Sequence, residues 1–316
     1  MKYAATIPHG IMFHHFHNDF HYRGQGSIDS AEFEKLLLFV GVERIINPET
    51  WVERLSNNSL KEDDVCLTFD DGLLCQFDIA LPILKKYNLK AFWFVYSCVF
   101  ESGIGEFEIY RVFRTKYFNT IDDFYGEFLK LINSSPYFKK SKNAVSEFDI
   151  DAYRKIFPFY SENDVIFRVI RDRALTKDEF NHVMETLMGL YKINKKNLCE
   201  NIWMHDDHIR QLSDQGHHIG LHSYTHPTAL SDLPYVEQEN EYLKNFSHLK
   251  KICGKSPISM AHPVNSYNEN TIKILKKIGI ECGFQSNMQM RTKSTEIKYE
   301  LPREDHTNIL KTIKNI

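Results

Sequence analysis

No charge of one sign dominates this chain: 39 Lys and Arg stand against 42 Asp and Glu, a formal net charge of −3 over 316 residues. Without a basic excess, a zinc-finger spacing or an RNP-like segment, nucleic acid is not an expected partner. No run of 18 apolar residues occurs, so no membrane span is expected. The opening stretch Met1 to Gly10 lacks the apolar core of a signal peptide, which makes the cytoplasm the expected address. The six cysteines, at 66, 75, 98, 199, 253 and 282, form no CxxC pair, and a chain this long needs no disulfide framework. They read as reduced packing residues. Tandem repeats and low-complexity tracts are absent. With 42% hydrophobic and 26% charged residues, disorder and collagen-like structure are excluded, and the length permits a large core in one or two domains.

What is present has a repeating grammar. Val65-Cys66-Leu67-Thr68-Phe69 is a short strand-forming run that stops at Asp70-Asp71-Gly72, where glycine permits a tight turn. A helical pattern through Ile79, Ile83 and Leu84 follows, with Pro82 marking a kink or a late helix start, and Ala91 to Val95 reads as a second buried strand. Asp206 or Asp207 is the expected cap of a helix that Gly216 stops, before a strand over 218–222. A helix around Tyr242, Leu243, Phe246 and Leu249 precedes a strand over 258–261. The helix 269–278 then leads to the strand Cys282-Gly283-Phe284. Alternating β and α elements imply a parallel sheet or barrel whose functional groups gather at the carboxyl ends of the strands. Residues 101–200 break the rhythm with amphipathic patterns such as Phe124, Phe128, Leu129, Ile132 and Phe180, Val183, Met184, Leu187.

Two segments carry chemistry. Adjacent carboxylates at a strand end, Asp70 and Asp71, repel unless a cation or hydrogen bonds hold them; that suits metal ligation beside a proton acceptor, although Asp-Asp-Gly also makes a solvated turn. Gly220-Leu221-His222-Ser223-Tyr224-Thr225-His226 places two imidazoles four residues apart after a strand. A helical backbone after His222 would bring both rings to one face. Two histidines and one carboxylate make an open three-ligand site, the catalytic pattern.

Together these segments resemble the polysaccharide deacetylase family, also called the NodB-homology group or carbohydrate esterase family 4. Thr68-Phe69-Asp70-Asp71-Gly72 is similar to its first motif and His222-Ser223-Tyr224-Thr225-His226 to its second. Gly216-His217-His218-Ile219-Gly220 resembles the usual approach to the second. The likeness spans about 61–100 and 203–305. It implies an α/β fold, a deformed (β/α) barrel of which 1–100 is the first part and 201–316 the remainder; residues 101–200, which the likeness does not explain, read as a helical insertion, an inserted subdomain or lid, or as helices that merely cover one side of the sheet. It also implies one divalent metal, commonly Zn2+, and removal of an acyl group, here an N-acetyl group, from an amino sugar or glycan precursor. By position, Asp70 becomes the general base, and Asp71, His222 and His226 the metal ligands.

The other motifs depart from the family pattern. Ala261-His262-Pro263-Val264-Asn265-Ser266-Tyr267-Asn268 resembles its third motif with His262, Val264 and Asn265 as departures. The likeness places His262, Val264 and Tyr267 near substrate, with the Val264 N–H able to hold an oxyanion. Leu301-Pro302-Arg303 resembles a late segment of one subgroup, so Arg303 either supplies the cation beside Asp70 or is a surface arginine. The general acid is His306, after a late strand, or His14, within the opening Ile11-Met12-Phe13-His14-His15-Phe16. Deformylation, cyclic amide hydrolysis and non-catalytic carbohydrate binding are alternatives that the same fold supports.

Overall fold

A computed structural model describes residues 3, 6–102, 105–158, 160–289 and 297–315. Two compact units are present: Met1–His21, Gly26–Gly103 and Asn201–Ile316 form one, Tyr22–Gln25 and Ile104–Glu200 the other.

The first unit is built on seven strands among the described residues: β1 (His9–Phe13), β2 (Val65–Asp70), β3 (Phe92–Val95), β4 (His218–Leu221), β5 (Ser259–Ala261), β6 (Cys282–Phe284) and β7 (Arg303–Asp305). Their spatial order is β6-β5-β4-β3-β2-β1-β7, with every pairing parallel. Leu301, just before β7, bridges Phe284 of β6: its N–H donates to Gly283 O (2.9 Å) and its carbonyl accepts from Gln285 N–H (3.0 Å). The sheet thus nearly closes, and the fold is the deformed (β/α) barrel expected. Val, Leu, Phe and Cys fill these strands because both faces are covered. Cys66, Phe92, Phe94, Ala261, Cys282 and Phe284 form one buried cluster with Trp51 and Val52 of the helix Pro48–Ser56. Each large apolar side chain buried there contributes about 1.5–3 kcal/mol. Among the described residues the six cysteines form no disulfide.

Parallel strands send their carboxyl ends the same way. The register pairs Phe13 with Phe69, so His14 and Asp70 leave neighbouring strands side by side. Gly220 in β4 is required by packing, since a Cβ there would lie 2.7 Å from the Phe94 ring and 2.7 Å from Ser259 O. Between β2 and β3 the helix proper is Leu81–Lys86, following a wider turn over Gln76–Ala80. Pro82 sits in its first turn, where a missing N–H costs nothing, so the late start is the outcome. The helix Asp206–Asp214 is preceded by His205 in extended conformation, whose N–H donates to His208 Nδ1 (2.9 Å). The cap position therefore falls one residue before the expected aspartates.

The second unit is helical: Glu106–Tyr117, Ile121–Asn133, Phe138–Ser146, Ile150–Ile156, Glu162–Val169 and Lys177–Leu190. Phe124, Phe128, Phe167 and Phe180 pack edge-on or tilted against one another, with Phe128 and Phe167 ring centroids 4.9 Å apart. Three of the helices begin with reciprocal capping boxes, Thr120 with Asp123, Ser161 with Asp164 and Thr176 with Glu179. Tyr110 and Tyr125 are buried in this unit.

Candidate active site

Three loops at the carboxyl ends of β2, β4 and β5 carry the site. Asp71 has φ +78° and Gly72 φ +65°, two consecutive left-handed residues that reverse the chain directly after β2. A side chain at Gly72 would also press on Val95 at 3.1 Å. Of the nine non-glycine residues with positive φ among the described residues, five lie in these loops: Asp71, Ser223, His226, Val264 and Asn265. Backbone strain of this kind persists only where surrounding contacts impose it.

The β4 loop shows such contacts. Glu241 Oε2 accepts from the N–H groups of Tyr224 (2.9 Å) and Thr225 (2.8 Å), and its Oε1 accepts from the Thr225 hydroxyl (2.8 Å). Four residues on, Asn245 accepts from His222 N–H (3.0 Å) and donates to Val95 O and Ser97 Oγ, both at 2.9 Å. Both residues belong to the helix Tyr235–Cys253, so one helix face holds the loop. Ser223 Oγ accepts from His226 N–H (3.0 Å). The two imidazoles do meet, with centroids 4.9 Å apart. They do so across a left-handed loop, not the helical turn that the spacing suggested, because Ser223 and His226 have φ +63° and +56°.

Asp71, His222 and His226 offer one ligand atom each within a common 4.8 Å. Asp71 Oδ1 lies 3.5 Å from both imidazole Nε2 atoms and, among the described residues, is a buried acceptor with no hydrogen-bond donor. Two ligands bound tetrahedrally at about 2.0–2.1 Å stand about 3.4 Å apart, so the spacing fits a divalent cation. His222 Nδ1 lies 2.9 Å from Ala261 O, which makes Nδ1 the donor and leaves the Nε2 lone pair for a ligand. Burial would raise the Asp71 pKa, but His222, His226 and His14 hold it far below the ordinary carboxylate value. Burial lowers that of His222, and Asp70 and Asp71 more than offset it. The histidine–carboxylate group His17, Asp29 and Glu32 is also close-set, but Asp29 and Glu32 cap each other at the start of the helix Ser30–Val40.

Asp70, beside Asp71, pairs with Arg303, and its Oδ2 also lies 4.0 Å from His222 Nε2 of the ligand cluster. Arg303 NH1 and NH2 donate to its Oδ1 (2.7 Å) and Oδ2 (2.8 Å), a bidentate pair whose side chains are 1% and 2% exposed. Arg303 Nε donates to Gln285 O (2.7 Å) and NH1 reaches Thr68 Oγ1 (3.3 Å), which fixes the guanidinium plane. Burial by itself would raise the Asp70 pKa; Arg303, then His222 and His14, bring it below the usual value. Arg303 is therefore not a surface residue. His14 Nε2 lies 3.7 Å from Asp70 Oδ2 with 31% of the side chain exposed. Gln76 donates to both His14 O (2.7 Å) and Asp70 O (2.6 Å), which ties the two strand ends together.

Other expected site residues fall elsewhere. His306 is buried on Phe13, with Nδ1 3.1 Å from Met12 O and Nε2 2.9 Å from Gly26 O. Both nitrogens face backbone carbonyls. His262 is buried and stacks on Tyr267 with centroids 3.9 Å apart, its Nε2 2.8 Å from Tyr299 O. Tyr267 donates to Glu300 Oε1 (2.8 Å). These two rings pack on one another directly after β5. Val264 is 37% exposed and left-handed, φ +51° and ψ +20°, a strained state for a β-branched residue.

Sequence reasoning missed Gln76, Glu241 and Asn245. Asn245 had a signal: it interrupts the helical stripe Tyr242, Phe246, Leu249 at a buried position. Gln76 had none. Trp203, whose Nε1 donates to Tyr96 OH (2.7 Å) behind the His226 ring, was also missed.

Residues 57–105 and 193–283 match the family model described as polysaccharide deacetylase. In solved structures the chain is similar to a Streptococcus pyogenes deacetylase, PplD, in complex with acetate. The TM-score is 0.56 at 18% identity, covering 97% of each chain. It is similar to IcaB from Ammonifex degensii (TM-score 0.54, 13% identity, 96% of this chain and 94% of that one). A de-N-acetylase from Aggregatibacter actinomycetemcomitans gives 0.52 at 14% identity, covering 98% of each. At these identities the structural likeness speaks for the fold. No curated protein sequence matches the chain.

Proposed function

We propose that this chain, which matches the polysaccharide deacetylase family model over residues 57–105 and 193–283, hydrolyses the N-acetyl amide of an amino sugar or sugar-containing glycan precursor in a metal-dependent reaction. The observation that carries this reading is the Asp71–His222–His226 cluster set beside a carboxylate, Asp70, that Arg303 keeps ionised. Asp71, His222 and His226 would hold a divalent cation, Zn2+ by the family likeness. When bound, such an ion polarises the acyl oxygen and acidifies water.

In this reading Asp70 accepts the proton of the attacking water, whose oxygen bonds to the acyl carbon. Arg303 orients Asp70 and takes no part in bond making. The Val264 N–H, presented by its left-handed backbone, donates to the oxyanion that the acyl oxygen becomes. The C–N bond then breaks, His14 gives a proton to the leaving nitrogen, and acetate and a free amine result. His14 suits the task better than His306 because its ring stands at the edge of the Asp70 carboxylate and is reached by solvent.

The test is acetate release from N-acetylglucosamine oligomers, with elemental analysis of the same samples. Asp70→Asn should keep the bound divalent ion and lose about 10²–10⁴-fold in kcat; Asp71→Asn should lose the ion as well. Turnover by Asp70→Asn at the wild-type rate would refute the base assignment. Among the described residues no helix is long and apolar enough to cross a membrane. The substrate is taken to be an N-acylated glycan.

A further inference from the structure

The helical unit holds a cationic, aromatic-walled pocket that the deacetylation reading does not use. It is small and open to solvent, and its walls include Phe107, Tyr110, Arg111, Arg114, Phe167 and Arg171. Phe107, Tyr110, Arg111 and Arg114 stand at i, i+3, i+4 and i+7 of one helix and so share one face. Arg171 comes from the wide helical turn Ile170–Ala174, a geometry that recurs at functional sites.

The guanidinium groups differ in how they are satisfied. Arg171 lies over the Phe107 ring (4.6 Å) and donates twice to Asp172, at 2.6 and 2.7 Å. Arg111 donates to Gln25 O (2.7 Å), and Arg168 stacks over Tyr160 (3.8 Å). Asp164, one of the carboxylates of this unit, is taken up by Tyr125, Gln25 and Ser161. Arg114 is only partly exposed, and among the described residues it has no hydrogen-bond acceptor and no ion pair. Burial, then repulsion from Arg111, Arg168 and Arg171, pulls its pKa down to about 10. A withdrawn guanidinium with three cationic neighbours is costly unless an anion sits against it.

We propose that this pocket binds a small oxyanion, a phosphate or carboxylate group, on Arg114 at its open mouth, beside the aromatic walls. A planar fork of N–H donors suits two oxygens at once.

The test is calorimetric titration of the full-length protein with inorganic phosphate and, separately, with acetate. Saturable binding of one anion per chain is expected in the wild type and in Asp71→Asn, which sets this pocket apart from the deacetylation site. Arg114→Met should weaken binding by at least about tenfold. Phosphate binding alone identifies a phosphoryl ligand, and acetate binding alone a carboxylate. Should Arg114→Met not fold, the arginine Nε–H signals of the wild-type protein give the answer, since the Arg114 resonance is expected to move on titration. Equal binding by Arg114→Met, no saturation with either anion, or an unmoved Arg114 resonance overturns the proposal.

Discussion

The barrel and the helical unit place their buried polar groups differently. In the barrel they converge at the carboxyl ends of the strands: Asp70 and Arg303 pair, Asp71 faces two imidazoles, and Asn245 and Gln76 satisfy the loops around them. In the helical unit the interior is mostly aromatic rings, and much of the polar order lies at helix starts, in the boxes at Thr120, Ser161 and Thr176. The first arrangement concentrates strain and charge where chemistry is done; the second distributes small, local stabilising contacts. A single polar substitution should therefore be felt far more in the barrel.

Arg303→Met breaks the comparison at its strongest point. It leaves the Asp70 carboxylate buried without its partner, and a loss of about 3–5 kcal/mol in unfolding free energy is expected from denaturant titration. Adding Asp70→Asn to Arg303→Met should restore most of that stability without restoring activity. No recovery in the double variant would mean that Arg303 stabilises by packing alone.

A smaller effect is expected at His217, buried with Nδ1 accepting from Ala91 N–H (3.1 Å). Burial, aided by Lys90 and Lys85, holds its pKa down at about 3 against an ordinary 6.5. Above about pH 6.5 both folded and unfolded forms are neutral, and its contribution is fully present. Between 6.5 and about 3 the unfolded chain takes up a proton that the folded chain refuses, so stability falls with pH by up to roughly 1.4 kcal/mol per unit. His217→Gln, which keeps an acceptor, should flatten this acid slope in denaturant titrations from pH 7 to pH 4.

The helical unit should give the smallest change. Thr176→Ala removes the hydroxyl that caps Lys177–Leu190 and is expected to cost about 1 kcal/mol, with deacetylation unaffected. A loss as large as that of Arg303→Met would erase the contrast between the units.

How much of this was legible in the sequence follows from how locally each feature is encoded. The runs Val65 to Phe69 and Ala91 to Val95 announce buried strands by composition, and Asp70-Asp71-Gly72 marks its own turn. β7 has three residues, too few to show a period, so the strand that delivers Arg303 was visible only as a familiar Leu-Pro-Arg segment. The conformation of the His222–His226 loop is set by Glu241 and Asn245, more than fifteen residues away, and spacing alone suggested a helix there. His306 stood at a plausible sequence position, but its environment is made by Met12 and Gly26, nearly three hundred residues upstream. Tertiary partners of this kind leave no trace in local pattern.

Gly220 illustrates how little room the barrel leaves between chemistry and scaffold. Phe94 and the Ser259 carbonyl occupy the space a methyl group would need, and His222 follows two residues later on the same strand end. The spacing of three neighbouring strands and the aim of an imidazole thus depend on one hydrogen atom. Mutational tolerance at this position is therefore governed by sterics before catalysis enters, and redesign of the pocket has to begin from a backbone that leaves it untouched.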